Sequence, residues 1–206
     1  MACDAAAREH RLEIAPAMVT NLAKGHAGSF MGGSLTADYY FSDWAGLRTT
    51  LGFTKERYYP AELDYSDANY GFWLSVAPMA QANIGGVLRP YVAFLGTISG
   101  VGQRRSSGQP LAGLELSPVR NLGYDDRASQ TLFSLGASIG TKLVIAGPVS
   151  LFGEVTHYVY SHVTTAENYF PESAMAFGRP LDFERNPTYL SLGLVYSLRI
   201  GRQNHQ

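Results

Sequence analysis

The chain has 206 residues, of which 16% are charged, and its formal net charge at pH 7 is −1. Soluble domains usually carry roughly 25% charged residues, while the 22 glycines, 13 tyrosines and 10 phenylalanines of this chain indicate tight turns and aromatic surfaces. No run approaches the roughly 18 apolar residues of a membrane-spanning helix, which excludes a helical membrane protein. Lys and Arg are scattered and no nucleic-acid-binding signature occurs, so we expect no nucleic-acid partner.

The N-terminal segment "MACDAAAREH" contains the one cysteine of the chain, Cys3. A single cysteine excludes an internal disulfide and any multi-cysteine metal site. No basic segment followed by an apolar segment precedes Cys3, so we expect that any export signal was removed or never present. Cys3 is a candidate for lipidation, and an ordinary exposed residue is the alternative.

Eight segments alternate apolar and polar residues, which predicts β-strands because successive side chains of a strand leave opposite faces. The first segment, "RLEIAPAM", sets Leu12, Ile14 and Met18 against Arg11 and Glu13. In chain order the segments cover residues 11–18, 31–41, 47–56, 72–83, 90–99, 131–143, 150–160 and 187–201. The apolar face is distinct in each, but the opposite face of segment 90–99 is less clear.

The links between these segments alternate between short and long. Short links are predicted at 43–46, 85–87 and 146–148, and long polar links at 57–69, 100–127 and 163–186; the first link on the long side, "AKGHAGS", is short. An even number of strands, each of about ten residues, matches the length that crosses a bilayer at a tilt. We therefore predict an all-β fold, an eight-stranded antiparallel up-and-down transmembrane β-barrel, with both termini at the short-link end.

The distribution of apolar residues favours a membrane barrel over a soluble one. A lipocalin-like barrel has a large apolar interior and a charged exterior, whereas here the apolar face carries no charge and the polar face is rich in Ser, Thr and Gly. Aromatic residues near the strand ends are expected to form the girdles at the two membrane interfaces. They are Tyr39, Phe41, Trp44, Tyr158, Tyr160 and Tyr196. A soluble lipocalin-like binder remains the alternative.

Several charged residues fall on the polar, inward-facing side of the predicted strands. They are Arg11, Glu13, Asp38, Arg48, Lys142, Glu154 and Arg199. In a narrow barrel such charges can neutralise one another through ion pairs. Because eight strands leave an interior only just wide enough for side chains, we interpret the charges as filling the barrel rather than lining a conduit for solutes.

The segment "GGSLTADYYFSDWAGLRTTLGF" resembles the small OmpA-like or porin-family outer-membrane barrels: a strand ends in aromatic residues, a short Asp-containing turn follows, and a Gly-Leu-Arg strand begins. The resemblance implies a periplasmic N-terminal tail at 1–10, an outer-membrane β-barrel at 11–201 and a C-terminal tail at 202–206. It also implies location in the bacterial outer membrane. One departure is that these barrels often end in an aromatic residue, whereas this chain ends in "RIGRQNHQ".

The best candidates for catalysis lie in "THYVYSHV", namely His157, Ser161 and His162, with Glu154 on the same strand and Asp38 elsewhere. Nucleophilic catalysis requires hydroxyl, imidazole and carboxylate within hydrogen-bond reach. Residues four apart in a strand are about 13 Å apart. We therefore predict no enzyme and no catalytic residue, with a barrel enzyme acting on outer-membrane lipid as the alternative.

Metal and cofactor sites are not predicted. The five histidines are dispersed, without a His-x-His or His-x-x-x-His pair. The acidic segment "AELDYSDAN" offers Glu62, Asp64 and Asp67 as candidate calcium ligands. We prefer the alternative, that these are ordinary solvated charges.

The predicted function is a structural or interactive one. The loops at 57–69, 100–127 and 163–186 are long and rich in Tyr, Phe, Pro and Arg, and loops of this kind commonly form recognition surfaces. The predicted partners are outer-membrane lipid and another outer-membrane or extracellular protein, or a larger complex in which the barrel is a subunit.

Overall fold

The computed structural model describes residues 10–22, 30–58, 65–107, 125–169 and 187–200. Its strands are β1 (His10–Asn21), β2 (Phe30–Tyr40), β3 (Ala45–Tyr58), β4 (Tyr65–Gln81), β5 (Leu88–Ser107), β6 (Asp125–Ala146), β7 (Val149–Tyr169) and β8 (Thr188–Ile200). Each strand pairs antiparallel with the next, and β8 pairs with β1, which closes the barrel. The predicted eight-stranded up-and-down barrel is confirmed. Within the described ranges, no helix is long and apolar enough to span a membrane.

The outer surface of the barrel is apolar all the way round. Phe94 on β5 is 67% exposed and Ile139 on β6 is 64% exposed, and large apolar side chains of the other strands are exposed in the same way. An apolar surface far larger than a few hundred Å² is not found on soluble monomers. This surface is therefore the lipid-facing belt of a transmembrane barrel, and the soluble lipocalin-like alternative is wrong.

Strands β4 to β7 are much longer than the predicted ten residues, at 17 to 22 residues each. As a result, parts of the predicted loops 57–69, 100–127 and 163–186 are strand: β3 continues to Tyr58, β4 starts at Tyr65, β5 reaches Ser107, β6 starts at Asp125 and β7 reaches Tyr169. Beyond the lipid neither face of a strand has to be apolar, so the alternation fades although backbone pairing continues.

The strands are joined at one end of the barrel, which we call the short-turn end, by the three predicted tight links. Gly85 and Gly86 have φ of 62° and 75°, and Gly147 has φ of 52°, the left-handed region that glycine adopts without steric cost. The side-chain oxygen of Asn83 accepts a hydrogen bond of 3.1 Å from the Gly86 N–H. The opposite end, which carries the links at 23–29, 59–64, 108–124 and 170–186, is the long-link end.

Two prolines interrupt the hydrogen-bonded ladder within the belt. At Pro16 the pairing of β1 with β8 is interrupted: Ile14 pairs with Tyr196 and Ala17 pairs with Gly193, and Ala15 and Pro16 between them are not paired with β8. At Pro78 the pairing of β4 with β5 is interrupted in the same way, between the pair Val76–Gly96 and the pair Met79–Ala93. Proline has no N–H to donate, so the ladder resumes on the far side of each proline.

Candidate functional site

The interior is held together at its centre by Asp38 and two cations. Arg48 on β3 faces Asp38 on β2 in register, and its Nε and Nη2 donate to the two carboxylate oxygens at 2.7 and 2.9 Å. Lys142 reaches across from β6, and its Nζ donates to Oδ2 of Asp38 at 2.7 Å. All three residues are buried. Such a cluster is stable in a low-dielectric interior only because each charge has an opposite partner.

Two further carboxylates extend this cluster to β1 and β7. Glu13 accepts a hydrogen bond from Lys142, pairs with Arg11 at 3.0 Å and with Arg89 at 3.5 Å, and accepts one from the Ser197 hydroxyl at 3.1 Å. Glu154 on β7 accepts a hydrogen bond from Arg48. One continuous network therefore joins β1, β2, β3, β5, β6 and β7, and we call it the interior charge network.

Two tyrosines complete the cross-section of the barrel at this level. The Tyr40 hydroxyl accepts a hydrogen bond from Lys142 Nζ at 2.8 Å and donates to Gln81 at 2.8 Å. The guanidinium carbon of Arg48 lies 4.6 Å from the centroid of the Tyr91 ring. Cations over aromatic faces are stabilised electrostatically. The rings thus fill the space beside the charges and hold the cations in place.

The structure brings six of the seven predicted interior residues into contact. They are Arg11, Glu13, Asp38, Arg48, Lys142 and Glu154. Arg199 is exposed near the short-turn end. Arg89 was missed, although it shares its face with the buried Tyr91 two residues later; the turn and Pro90 next to it hid the alternation. Cys3 lies outside the described residues.

Tyr158 was predicted to lie in an interfacial girdle, and this is wrong. Its side chain is 5% exposed, and its hydroxyl accepts a hydrogen bond from Thr97 at 3.3 Å inside the barrel. Tyr158 is two residues from Thr156 and, like it, points into the barrel. Just after Tyr158 the pairing of β6 with β7 shifts by one residue: Gly136 pairs with Tyr158, whereas Leu135 pairs with Tyr160. Because of that bulge, Tyr160 points outward although it is two residues from Tyr158.

The residues weighed as catalytic candidates are separated in the fold. The His157 imidazole is exposed and lies 2.8 Å from the Thr188 hydroxyl, while the Ser161 hydroxyl lies 2.8 Å from that of Ser134. Glu154 is engaged by Arg48. The structure therefore does not bring His157, Ser161 and Glu154 together within hydrogen-bond reach.

No metal site is found in the part of the chain that the structure describes. There, no three His, Cys, Asp or Glu side chains are close enough to bind one metal ion. Of the calcium candidates, Glu62 and Asp64 lie outside the described residues. Asp67 is in β4, and its side chain is outside the description as well.

The interior charge network separates two spaces of very different size. A cavity of about 510 Å³ opens at the short-turn end and reaches Tyr40 on β2 and Ser150 on β7. On the other side of the network lies a void of about 20 Å³, lined by Thr36 on β2 and Glu154 on β7, which is room for about one water molecule. Asp38, between Thr36 and Tyr40, is buried. The barrel is therefore closed at the level of the network.

Comparison with known proteins gives matches by structure alone. No protein-family model matches the chain, and no curated protein matches its sequence. The chain is similar in structure to a major outer membrane protein from Thermus thermophilus, with 12% identity, a TM-score of 0.63, and coverage of 92% of this chain and 99% of that one. It is also similar to Ail, the attachment invasion locus protein of Yersinia pestis, with 13% identity, a TM-score of 0.55, and coverage of 93% and 99%.

These likenesses concern the fold. Together with the lipid-facing belt and the closed ring of eight strands, they show that the chain has the fold of a small eight-stranded outer-membrane β-barrel. A closed barrel with an apolar exterior satisfies all of its backbone groups within lipid. Its location is the bacterial outer membrane.

Proposed function

We propose that the protein is a non-enzymatic outer-membrane barrel that binds another protein at its long-link end. The observation that carries this proposal is the extension of β4 to β7 beyond the lipid-facing belt. Among the side chains of β5 whose exposure the structure describes, the last large apolar one is Ile98, and the strand continues to Ser107. At about 3.3 Å per residue this adds about 30 Å of strand. Pairing between β5 and β6 persists along it, out to Ser106–Asp125.

One edge of this extension supports strand addition by a partner. The pairing of β7 with β8 ends at His157–Thr188, and the Tyr158 N–H is bonded to the Pro187 carbonyl. Beyond this point β7 continues to Tyr169. Its edge on the β8 side is not paired with any described strand there, whereas its other edge remains paired with β6. Unpaired strand edges offer a row of backbone donors and acceptors to an extended segment of another protein.

The closed interior argues against solute passage. The cross-section at Asp38, Arg48 and Lys142 is occupied by paired charges and two tyrosine rings. We expect the reconstituted protein to show no steady conductance in planar lipid bilayers at neutral pH. The control is Gly100→Ala, which adds a methyl group where no atom lies within 4 Å and leaves the network intact. Steady single-channel conductance from both proteins would contradict a closed barrel.

The proposed partner surface can be tested by photo-crosslinking in cells. A photoreactive residue at Thr164, which is exposed on the extended part of β7, is expected to give protein adducts. The matched control is the same residue at Leu192, which is 57% exposed within the lipid-facing belt and should give none. Adducts at Leu192 alone would instead show that the barrel docks sideways as a subunit of a larger complex. The absence of adducts at either position would contradict a protein partner.

A further inference from the structure

The cavity at the short-turn end is large enough for a small molecule. Its volume of about 510 Å³ lies within the roughly 300–1,000 Å³ of small-molecule sites. Its inner end is closed by Tyr40, which is 1% exposed and bonded to Lys142 and Gln81. A molecule that enters from the short-turn end therefore stops there and does not pass through the barrel.

The charged residues that the structure describes along the wall of this cavity are mostly cationic. Arg11, Arg89 and Arg199 line it, together with His10, and among the described residues the one carboxylate that lines it is that of Asp43. Arg11 faces Arg199 in register across the β1–β8 pairing, so two guanidinium groups come from neighbouring strands. Like charges directly opposite each other on paired strands are destabilising, and an anion bound beside them would relieve the repulsion.

Arg11 and Arg89 have more N–H donors than the neighbouring carboxylates and hydroxyls can accept. A guanidinium carries five N–H donors. The nearest carboxylate to Arg11 and Arg89 is that of Glu13, which also accepts from Lys142 and Ser197. Within the described residues, Nη2 of Arg11 and Nε of Arg89 are buried and have no hydrogen-bond acceptor. Buried donors of this kind are normally satisfied, by protein, water or ligand.

We propose that this cavity binds a small soluble oxyanion, a molecule that presents a carboxylate or phosphate group to Arg11, Arg89 and Arg199. Arginine recognises both groups because its planar fork can donate two parallel hydrogen bonds to them. The hydroxyls of Ser42, Ser150 and Ser197 around the wall supply further donors. This site is independent of the long-link end and of the protein partner proposed there.

The test is calorimetric titration of the full-length barrel with inorganic phosphate and, separately, with citrate, in a neutral detergent without phospholipid. We expect saturable binding of at least one of them. Arg199→Gln and Arg89→Gln should each weaken it about tenfold or more, because each removes charge-assisted hydrogen bonds to the anion. The matched control is Lys55→Gln, which removes the same charge from β3 beyond the belt and should leave the affinity unchanged.

Several results would overturn the proposal: no saturable binding of either anion, equal affinity in the arginine variants and the parent, or a loss of equal size in Lys55→Gln. A short-chain phosphatidic acid that binds the cavity more tightly than both soluble anions would overturn it too, by assigning the site to a lipid headgroup. Folding of each variant is checked by its faster migration on unboiled gels. Arg199 is exposed, so its variant is expected to fold even if that of Arg89 does not.

Discussion

Replacing Asp38 with asparagine is expected to lower the free energy of unfolding by about 3–5 kcal/mol, because it leaves two buried cations without their shared carboxylate. Asp38 accepts two hydrogen bonds from Arg48 and one from Lys142, and asparagine has nearly the same shape but no charge. The measurement is urea unfolding in lipid vesicles, followed by tryptophan fluorescence and by gel mobility without boiling.

Asp43→Asn is the matched control for this substitution. Asp43 lies in the turn between β2 and β3 and is exposed, so the same chemical change should shift the unfolding free energy by less than about 0.5 kcal/mol. If Asp38→Asn and Asp43→Asn unfold at the same urea concentration as the parent, the interior charge network does not stabilise the barrel.

Replacing Gly193 with alanine is expected to cost about 3 kcal/mol or more, or to prevent closure between β8 and β1. A Cβ at Gly193 would lie 2.1 Å from the carbonyl oxygen of Pro16 and 2.8 Å from Cα of Ala17. Both atoms belong to the backbone of β1, so the strand itself must move. Inserting a methylene into a well-packed interior typically costs about 1–3 kcal/mol when side chains alone must adjust.

Gly100→Ala provides the comparison for Gly193→Ala. Gly100 lies in β5, and a Cβ there would meet no atom within 4 Å. Its variant should fold and unfold as the parent does, as judged by the fraction that migrates as the compact form on unboiled gels. Equal folded fractions for the two variants would show that β1 and β8 can separate at Gly193 without loss of stability.

The parts of the fold that were predictable from sequence are those in contact with lipid. The belt requires an apolar residue at every second position, so Leu190, Leu192 and Leu194 reveal both the strand and its outward face. The extensions of β5 to Ser107 and β6 from Asp125 were missed because water imposes no such alternation. Tyr158 was misplaced because it was assigned by its position near a strand end, although it points to the same side as Glu154 and Thr156. The bulge in the β6–β7 pairing lies just beyond it and turns Tyr160 outward.

The interior charge network was predictable as a set of residues but not as a set of pairs. Strand parity shows that Glu13, Asp38 and Lys142 point inward, yet it does not show which strand each side chain meets across the barrel. Lys142 and Glu13 are 129 positions apart, and their contact depends on the shear of the closed barrel. The contact of Glu13 with Arg89 on β5 likewise depends on the arrangement of strands that are distant in the chain, whereas Arg11 is two residues away on β1 itself.

The position of Lys142 also bears on the order of events when the chain assembles. Lys142 arrives with β6, whereas its partners Glu13 and Asp38 belong to β1 and β2. In a sheet of the first four or five strands, Glu13 keeps Arg11 and Asp38 keeps Arg48, but the ammonium group that both carboxylates share is absent. Incompletely neutralised charges in the membrane interior are costly. We therefore expect partly built sheets to be poor intermediates within the bilayer, and insertion to be coupled to ring closure.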